Sequence, residues 1–496
     1  MNYQLGTIDL GILLAYCLIL VGMGFYFFKK SKSSEQFMIA GKSIPAWAAG
    51  IAVMSTYTSS ISYIAVPGKA FDDNWHPLIF ALTAIPVTWF VTTYVIPHYR
   101  KHKIVSVYSY LEGEIGSWGR LYAALSFLLF MVGRVAVILY LSSLLLTSFV
   151  STDIGTVIVL VGIVTIIYTL MGGMEAVIWT DVMQSAIMIS GILFVGFVLT
   201  SEIFAQPENL VQKALTHQKF SLGDSNFSFG SRTIWVMIIY GITENVRNLI
   251  ADQNYTQKYT SVATEMEAKK SVWIAMLIYL PLTAIFLYIG TALFSFYGGE
   301  SHILNEAITK GDEVFPFFIA TELPVGIKGL MIAAIMAASM STVDSALNSS
   351  ATVLFIDFYR KYFNPDSSEK NSLRFLRFST VIWGILGVAF ALLMIKAKSA
   401  LDVWWQISGI FGGGILGLFL LAIYKIKITK LQGILSVACS ILVIIWGTFL
   451  RDLPERFAWL QCTLDPILIG AASTAALIAL ALLFMLWNKR INNGNG

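Results

Sequence analysis

Runs of apolar residues long enough to cross a lipid bilayer recur along the whole chain. A hydrocarbon core of about 30 Å takes about 20 helical residues. Thirteen runs meet this requirement: 8–28, 46–66, 76–97, 120–150, 154–171, 176–203, 232–252, 271–297, 325–356, 375–396, 402–424, 431–450 and 463–487. The composition agrees, since 57% of the residues are hydrophobic and only 12% are charged. The sequence therefore predicts an all-α polytopic membrane protein with about 13 transmembrane helices.

The basic residues between these runs predict the orientation of the chain. Their clusters all fall on one side of the membrane if the first run starts outside. They include the groups Arg100, Lys101 and Lys103; Lys258, Lys269 and Lys270; and Lys425, Lys427 and Lys430. Cytoplasmic loops carry an excess of Lys and Arg, so we expect an extracytoplasmic amino terminus and a cytoplasmic carboxyl terminus. Run 8–28 has no basic region before it and is long enough to span, which indicates a helix rather than a cleavable signal peptide. We expect a multi-pass protein of the cell membrane (inner or plasma membrane), with the lipid bilayer as its surroundings.

The number of runs predicts an internal repeat. Without the first run and the last two, ten remain, and a repeat of five helices must re-enter the membrane in the opposite orientation. Such 5+5 inverted repeats are common in secondary transporters. The predicted organisation is an extra transmembrane helix and loop in 1–45, a first repeat in 46–204, an extracytoplasmic loop in 205–231, a second repeat in 232–424, and two further helices with a cytoplasmic tail in 425–496.

The first helix of each half is predicted to be interrupted. Seven hydroxyl-bearing residues lie between Ser55 and Ser62 in run 46–66. The corresponding polar residues of run 232–252 are Gly241, Thr243, Glu244, Asn245 and Arg247. Non-helical backbone at membrane depth is tolerated where it lines a cavity, and its carbonyls can coordinate a small cation. The alternative is an unbroken helix in which each hydroxyl bonds to the carbonyl four residues earlier.

A cation site is predicted in run 325–356. Ser341, Asp344, Ser345 and Asn348 recur at three- and four-residue spacing, so they share one helix face. An ionisable group at bilayer depth is costly and indicates a functional site. We therefore expect these oxygens to bind a cation. The alternative is a cytoplasmic helix end at which the same residue types act as caps.

Asp181 is a second carboxylate inside a predicted span. It lies about a turn and a half into run 176–203, at a depth compatible with contact to Ser345. Two carboxylates near one cation repel each other when the ion is absent, which would couple ion occupancy to helix position. The alternative is an interfacial Asp181 paired with a loop lysine.

Arg134 lies near the centre of run 120–150. Its guanidinium cannot be neutralised, so it must contact an anion or carbonyl groups. The candidates are a substrate anion and an internal pair with Glu244 or Asp252, with snorkelling as a weaker alternative.

The sequence contains no recognisable catalytic motif. It contains no HExxH or GxSxG motif, and its three cysteines form no CxxC pair. The GxGxxG pattern at Gly412, Gly414 and Gly417 lies in an apolar run without a preceding strand, which favours helix packing over nucleotide binding. We predict no enzyme activity, no nucleic-acid partner and no obligate protein partner. A membrane sensor would need a signalling module, and a channel would need a continuous polar path.

Three motifs resemble the signatures of the solute:sodium symporter family. They are MGGMEAVIWTDVMQ (Met171 to Gln184), ADQNYTQKY (Ala251 to Tyr259) and AASMSTVDSALNSS (Ala337 to Ser350). The segments WAAGIAV, TSSISY and FMVGRVAVILYL are similar to the sialic acid and sugar transporter branch. The resemblance implies a LeuT-like fold and sodium-coupled import of a small polar solute, a sugar or sugar acid, by alternating access. A carboxylate, amino acid or polyol as solute, or a transporter-like sensor, remain alternatives.

The resemblance also implies the ion ligands. One sodium site would use the carbonyls of Ser55, Thr58 and Ala338 and the hydroxyls of Ser341 and Thr342. A second, present in some members, would fall on Asp181, Ser341, Asp344 and Ser345. Asp344 stands where the sialic acid branch has serine, so the number of sodium ions, one or two, stays open.

The solute contacts follow in the same way. The sialic acid pattern maps to Tyr57, Ser59, Ser62, Pro77, Ala81 and Arg134, and sugar-transporting relatives suggest Asp252 and Gln406. We add Asn245 from the interrupted helix of the second half. Tyr57, Pro77 and Ala81 depart from the sialic acid pattern, which puts sialic acid itself in doubt as the solute.

Overall fold

The computed structural model describes the backbone of residues 5–102, 104–147, 149, 152–205, 207–297, 311–396, 400–451 and 454–494, with side chains for all of these except 202–211, 400–410, 455 and 491–494. Within these ranges the regular structure is helical. The α-helices are α1 Thr7–Lys30, α2 Ser34–Ile39, α3 Ala46–Tyr57, α4 Ser60–Asp72, α5 Leu78–Phe90, α6 Ile96–Lys101, α7 Val107–Glu114, α8 Ser117–Thr147, α9 Ile154–Ala205, α10 Pro207–Thr216, α11 Ile234–Ala251, α12 Gln253–Thr260, α13 Glu265–Phe296, α14 Gly311–Thr321, α15 Ile327–Val353, α16 Glu369–Met394, α17 Ala400–Ile423, α18 Lys430–Phe449 and α19 Ile469–Gly494. Two π-helical stretches, Val91–Val95 and Leu354–Phe363, extend α5 and α15.

Each of the thirteen predicted runs is helical. Among the described residues, 9 helices are long and apolar enough to cross a membrane. One of them, α9, has 52 residues and contains two predicted runs, which meet at Gly173. Its backbone there (φ +59°, ψ −154°) suits glycine, and a Cβ would come within 2.8 Å of the Phe37 backbone. The remaining three runs correspond to the pair α3 and α4, to α11 and to α17.

The predicted break in the first helix of the first half is confirmed. Helix α3 ends at Tyr57 and α4 begins at Ser60, with Thr58 (φ −105°, ψ 97°) and Ser59 (φ −103°, ψ 179°) in extended conformations. A break frees backbone groups that need new partners. The Ser62 hydroxyl is the partner of two such groups. It accepts from the Ser59 amide at 3.3 Å and donates to the Tyr57 carbonyl at 3.4 Å.

The predicted interruption at 241–247 is wrong, because α11 continues to Ala251. Glu244 Oε2 accepts from Arg247 Nε and Nη2 at 2.9 and 2.7 Å, so the two charges compensate each other one turn apart on the same helix. The break comes at Asp252 (φ −103°, ψ 117°). Its Oδ1 accepts from the Asn254 amide at 2.9 Å and so caps α12.

The two breaks face each other in the middle of the molecule. The rings of Tyr57 and Tyr255 lie 4.7 Å apart, edge to face. The Tyr255 hydroxyl donates to the Thr56 carbonyl at 3.3 Å. The last turn of α3 is thus held against the first turn of α12.

Helix α15 is the central helix of the molecule. Of its most apolar 18 residues, 94% are buried, against 22% of the corresponding residues in α1 at the periphery. The two helices nevertheless meet at the start of α15. The fully buried Asp9 of α1 accepts from the amides of Gly326 and Gly329 through Oδ1, at 2.7 and 2.8 Å. A carboxylate is favoured at this position because amides at a helix start lack partners within the helix.

Candidate functional site

The polar strip of α15 faces the first break, as the sequence predicts. The side chains of the strip are at most 1% exposed; they are those of Ser341, Thr342, Asp344, Ser345 and Asn348. Across the helix interface, the hydroxyl oxygens of Ser55 and Ser341 lie 2.7 Å apart. The strip is therefore enclosed by protein and touches the broken helix.

Two hydroxyl groups of the strip donate their protons to carbonyls of α15 itself. Thr342 donates to the Ala338 carbonyl at 3.1 Å, and Ser345 donates to the Ser341 carbonyl at 2.7 Å. A hydroxyl that donates its proton in this way keeps its lone pairs available to accept from a donor or to coordinate a cation. This is the back-bonding considered as the alternative for run 46–66, and here it leaves the oxygens suited to a cation.

The buried Asp344 has neutral hydrogen-bond partners. The Tyr168 hydroxyl donates to its Oδ2 at 3.0 Å, while the hydroxyl oxygens of Thr180 and Ser345 lie 3.4 Å from Oδ2 and 3.3 Å from Oδ1. Within the described part of the chain, no basic side chain lies within 4.0 Å of this carboxylate. A buried charge without a counter-charge is costly, and a sodium ion on the α15 strip would compensate it.

Asp181 forms a buried ion pair with Lys258. The Lys258 ammonium lies 2.7 Å from Asp181 Oδ2, and both side chains are fully buried. The same nitrogen donates to the Ala52 carbonyl at 3.1 Å and to the Thr56 hydroxyl at 2.7 Å. The assignment of Lys258 to a cytoplasmic basic cluster was therefore wrong. Pairing with a lysine, the alternative for Asp181, is observed, but the lysine lies in the protein interior.

One carboxylate of the site remains uncompensated. When both are ionised, Asp181 and Asp344 carry two negative charges, and Lys258 supplies one positive charge. Asp181 Oδ1 has no hydrogen-bond partner among the described residues. The chemistry of this donor set fits a monovalent cation with oxygen ligands.

Arg134 reaches the first break from α8. Its guanidinium donates to the Thr56 carbonyl at 3.2 Å and lies 3.8 Å from Asp252 Oδ2. Arg247 lies 3.9 Å from the same oxygen. Of the two internal partners considered for Arg134, Asp252 is therefore the one beside it, since Glu244 pairs with Arg247.

The Oδ2 atom of Asp252 has no hydrogen-bond partner in the described structure. Both guanidinium nitrogens are too distant from it for hydrogen bonds. A group that both donates and accepts, as a hydroxyl does, suits the neighbourhood of this free acceptor and the two guanidinium donors.

The other predicted solute residues are distributed around the same breaks. The Tyr57 ring packs between Tyr255 and Tyr279, at 4.7 and 5.0 Å. Ser59 precedes the first residue of α4, and Ser62 bonds to backbone groups of the break. Asn245 donates to the Phe80 carbonyl at 3.0 Å and to Thr83 at 3.2 Å, which ties its amide nitrogen to α5.

Two predicted solute positions contribute less to this arrangement, and a third lies outside the described side chains. Ala81 is a buried residue of α5, and Pro77 lies just before that helix begins. Gln406 lies among residues whose side chains are outside the described part of the structure.

Three site residues escaped the sequence analysis: Tyr168, Arg247 and Lys258. A usable signal existed for Lys258, because a buried Asp181 requires a counter-charge. Arg247 was predicted to lie in an interrupted part of the helix and not at the solute site. Tyr168 carries no such signal, since a tyrosine in an apolar run is ordinary.

Comparison with known proteins identifies the family of the chain. The sequence profile of the sodium:solute symporter family matches residues 37–439. The sodium/sialic acid symporter NanT of Aliivibrio fischeri is 33% identical over 475 residues, covering 94% of this chain and 92% of that protein. SiaT of Proteus mirabilis, also a sodium/sialic acid symporter, is 31% identical over 480 residues, with 96% of each chain covered.

Solved structures show the same fold. A substrate-bound, outward-open Na+-coupled sialic acid symporter superposes with a TM-score of 0.88 at 29% identity, covering 97% of this chain and 98% of that one. A nucleobase-cation-symport-1 family transporter in a closed conformation superposes at 0.53 with 15% identity, which bears on the fold alone. The predicted LeuT-like architecture is thereby confirmed. With a profile match over most of its length and relatives above 30% identity across nearly all of it, the chain belongs to the sodium:solute symporter family.

Proposed function

We propose that the protein imports a small polar solute of the sugar or sugar-acid class together with sodium, by alternating access. The observation that carries this proposal is the uncompensated Asp344, buried on the helix face that meets the broken helix α3–α4. The similarity to two sodium/sialic acid symporters supports the solute class.

Sodium binding would order the first break against α15. Ser55 and Thr58 on one side, and Ala338, Ser341 and Thr342 on the other, form the proposed first site. Asp181, Asp344 and Ser345 extend the oxygen cluster towards α9 and would hold a second ion. A conformational equilibrium shifts only if the ion binds one state better than the other, and a site shared by two helices meets that condition.

The solute would lie where the two breaks meet. Arg134 supports recognition of a carboxylate, while the free Asp252 Oδ2 supports a solute hydroxyl. The charges of Arg134, Arg247, Glu244 and Asp252 cancel. Sugars and sugar acids both offer the hydroxyls that this site lacks, and Tyr57, Ser59, Ser62, Asn245 and Gln406 would complete the contacts.

The driving force is sufficient for accumulation. A potential of 100 mV supplies about 2.3 kcal/mol per ion, and a tenfold sodium gradient adds about 1.4 kcal/mol. One sodium ion thus supports roughly 500-fold accumulation of a neutral solute. An anionic solute moves a negative charge with the ion and so gains less from the potential.

The proposal includes the predicted topology. The amino terminus would be extracytoplasmic and the carboxyl terminus cytoplasmic in the cell membrane. The repeats would span 46–204 and 232–424, with residues outside them as additions to the 5+5 core. No nucleic acid, obligate protein partner or catalytic residue is part of this proposal.

Uptake into proteoliposomes tests the proposed function. Purified protein is reconstituted and given labelled N-acetylneuraminic acid under an inward sodium gradient, with a potassium gradient as control. We expect accumulation above the external concentration, abolished by a sodium ionophore. A panel of unlabelled sugars and sugar acids in competition then ranks the solutes.

Thermal unfolding separates a wrong solute from a wrong function. A ligand that binds the folded state raises its melting temperature, so sodium alone should stabilise the purified protein relative to potassium. Stabilisation by sodium without uptake of any tested solute would keep the ion site and reject the solute class. Equal melting temperatures in sodium and potassium, together with no uptake, would reject sodium symport.

A further inference from the structure

One face of α13 combines basic, aromatic and aliphatic side chains in a regular order. Met266, Lys269, Lys270, Trp273, Ile274 and Leu277 recur at three- and four-residue spacing along the first turns of this helix. After Met266 in the first turn comes the basic pair, Trp273 follows one turn later, and Leu277 another turn on. The face thus changes from charged to apolar with increasing depth along the helix.

This face forms one wall of a groove. The opposite wall comes from Trp89 in α5 and from Thr92 and Thr93 in the π-helical stretch that follows. The groove has a volume of about 530 Å³. Its apolar residues are open to the surroundings, since Trp89 is 57% and Leu277 67% exposed.

The basic end of the groove carries an available charge. Lys269 lies 2.6 Å from Glu265 in a partly exposed pair, and such surface pairs contribute little to stability. Lys270 is exposed and, in the part of the chain that the structure describes, has no carboxylate within 4.0 Å. This end of α13 lies on the same side of the membrane as the predicted cytoplasmic cluster that contains Arg100. Arg100 donates to the carbonyls of Val262 and Ala263, just before α13 begins.

We propose that this groove binds one anionic phospholipid. Its phosphate lies between Lys269 and Lys270, its glycerol region beside Trp273, and one acyl chain along Ile274 and Leu277 towards Trp89. Basic pockets on the cytoplasmic side of helical membrane proteins suit anionic headgroups, and tryptophan prefers the interface between headgroups and acyl chains. The apolar wall selects a lipid over free phosphate, because phosphate leaves that wall without a partner.

The test counts lipids bound to the intact protein. Purified protein is stripped of lipid in detergent, titrated with phosphatidylglycerol or phosphatidylcholine, and analysed by intact-protein mass spectrometry. We expect one phosphatidylglycerol to bind in preference to phosphatidylcholine, and inorganic phosphate not to displace it. Each lysine near a membrane surface contributes about fivefold to the affinity for an anionic lipid, so K269Q/K270Q should weaken this binding about thirtyfold.

Two further variants sharpen the result. K427Q/K430Q removes two exposed lysines of another predicted cytoplasmic cluster and should leave the bound lipid unchanged. Thr93→Trp fills the groove from the exposed side while both lysines remain, and should also abolish the preference. Equal binding of the two lipids by the wild type, or equal losses in both lysine pairs, would overturn the proposal. Cross-linking of two copies through a cysteine introduced at Leu277 would assign the groove to a protein interface instead.

Discussion

The Lys258 ammonium lies 2.7 Å from the Asp181 carboxylate, and neither side chain is exposed. Its other two hydrogen bonds go to Ala52 and Thr56 in α3. The pair therefore joins α12, α9 and the last turns of the first broken helix at one nitrogen atom. Taking both charges out of water is costly, and this cost is offset only while all partners stay in place.

Lys258→Met should destabilise the protein. Removing one partner of a buried pair leaves an uncompensated charge, which lowers the free energy of unfolding by about 3–5 kcal/mol. Thermal unfolding of the purified protein measures this effect. The double variant Asp181→Asn/Lys258→Met should recover part of the loss, and Lys69→Met, in the exposed pair with Asp73, serves as control. A melting temperature of Lys258→Met equal to that of the wild type would contradict the prediction.

Asp344→Asn should weaken sodium binding. Opposite unit charges 4 Å apart attract by about 4 kcal/mol at an effective dielectric constant of 20, so even partial loss corresponds to at least tenfold. We expect the sodium concentration for half-maximal uptake to rise by about that factor. Tyr168→Phe removes only a neutral donor to the same carboxylate and should shift it far less. Unchanged sodium dependence in Asp344→Asn would remove this residue from the ion site.

Asp252→Asn should weaken solute binding while sodium dependence is kept. A hydrogen bond from a solute hydroxyl to a charged acceptor is worth roughly 1.5 kcal/mol or more, so the solute concentration for half-maximal uptake should rise about tenfold. The loss should be larger for neutral sugars than for sugar acids, because the variant leaves a net positive charge beside Arg134. Equal affinities of variant and wild type for all solutes would place the solute elsewhere.

His76 should make stability depend on pH. It lies between α4 and α5, and burial, with Arg232 nearby, lowers its pKa from 6.5 to about 4. Between these values the unfolded chain binds more protons than the folded protein, so stability falls as the pH falls through this window. We expect the melting temperature to drop from pH 7 to pH 4, and His76→Gln to reduce that drop. The exposed His102→Gln is the control, and equal drops in both variants would refute the assignment.

The first break and the strip on α15 were predictable because their signals are local. Hydroxyl groups and a carboxylate stand out in an apolar run, and helical spacing tells which of them share a face. Ser55 and Ser341 are 286 positions apart in the chain, yet each was assigned to the ion site from its own segment and from the family resemblance, and their hydroxyls meet.

The second break and the Lys258 pair required information that single segments do not contain. Glu244 and Arg247 compensate each other within one helix, so neither charge requires a break in α11. Lys258 was grouped with the basic residues that follow it in the chain, although its partner lies 77 positions away. Charge clusters indicate topology on average, but the position of a single lysine depends on its tertiary contacts.

The capping of α15 by Asp9 has a consequence for how the molecule can be divided. The family profile begins at residue 37, so α1 lies outside the part that defines the family. Yet the central helix, which carries the ion ligands, has two amides of its first turn satisfied by a side chain of α1. A fragment trimmed to the shared core would leave those amides without acceptors inside a lipid-enclosed protein. Recombinant versions and chimaeras should therefore retain the peripheral helix as part of the transport unit.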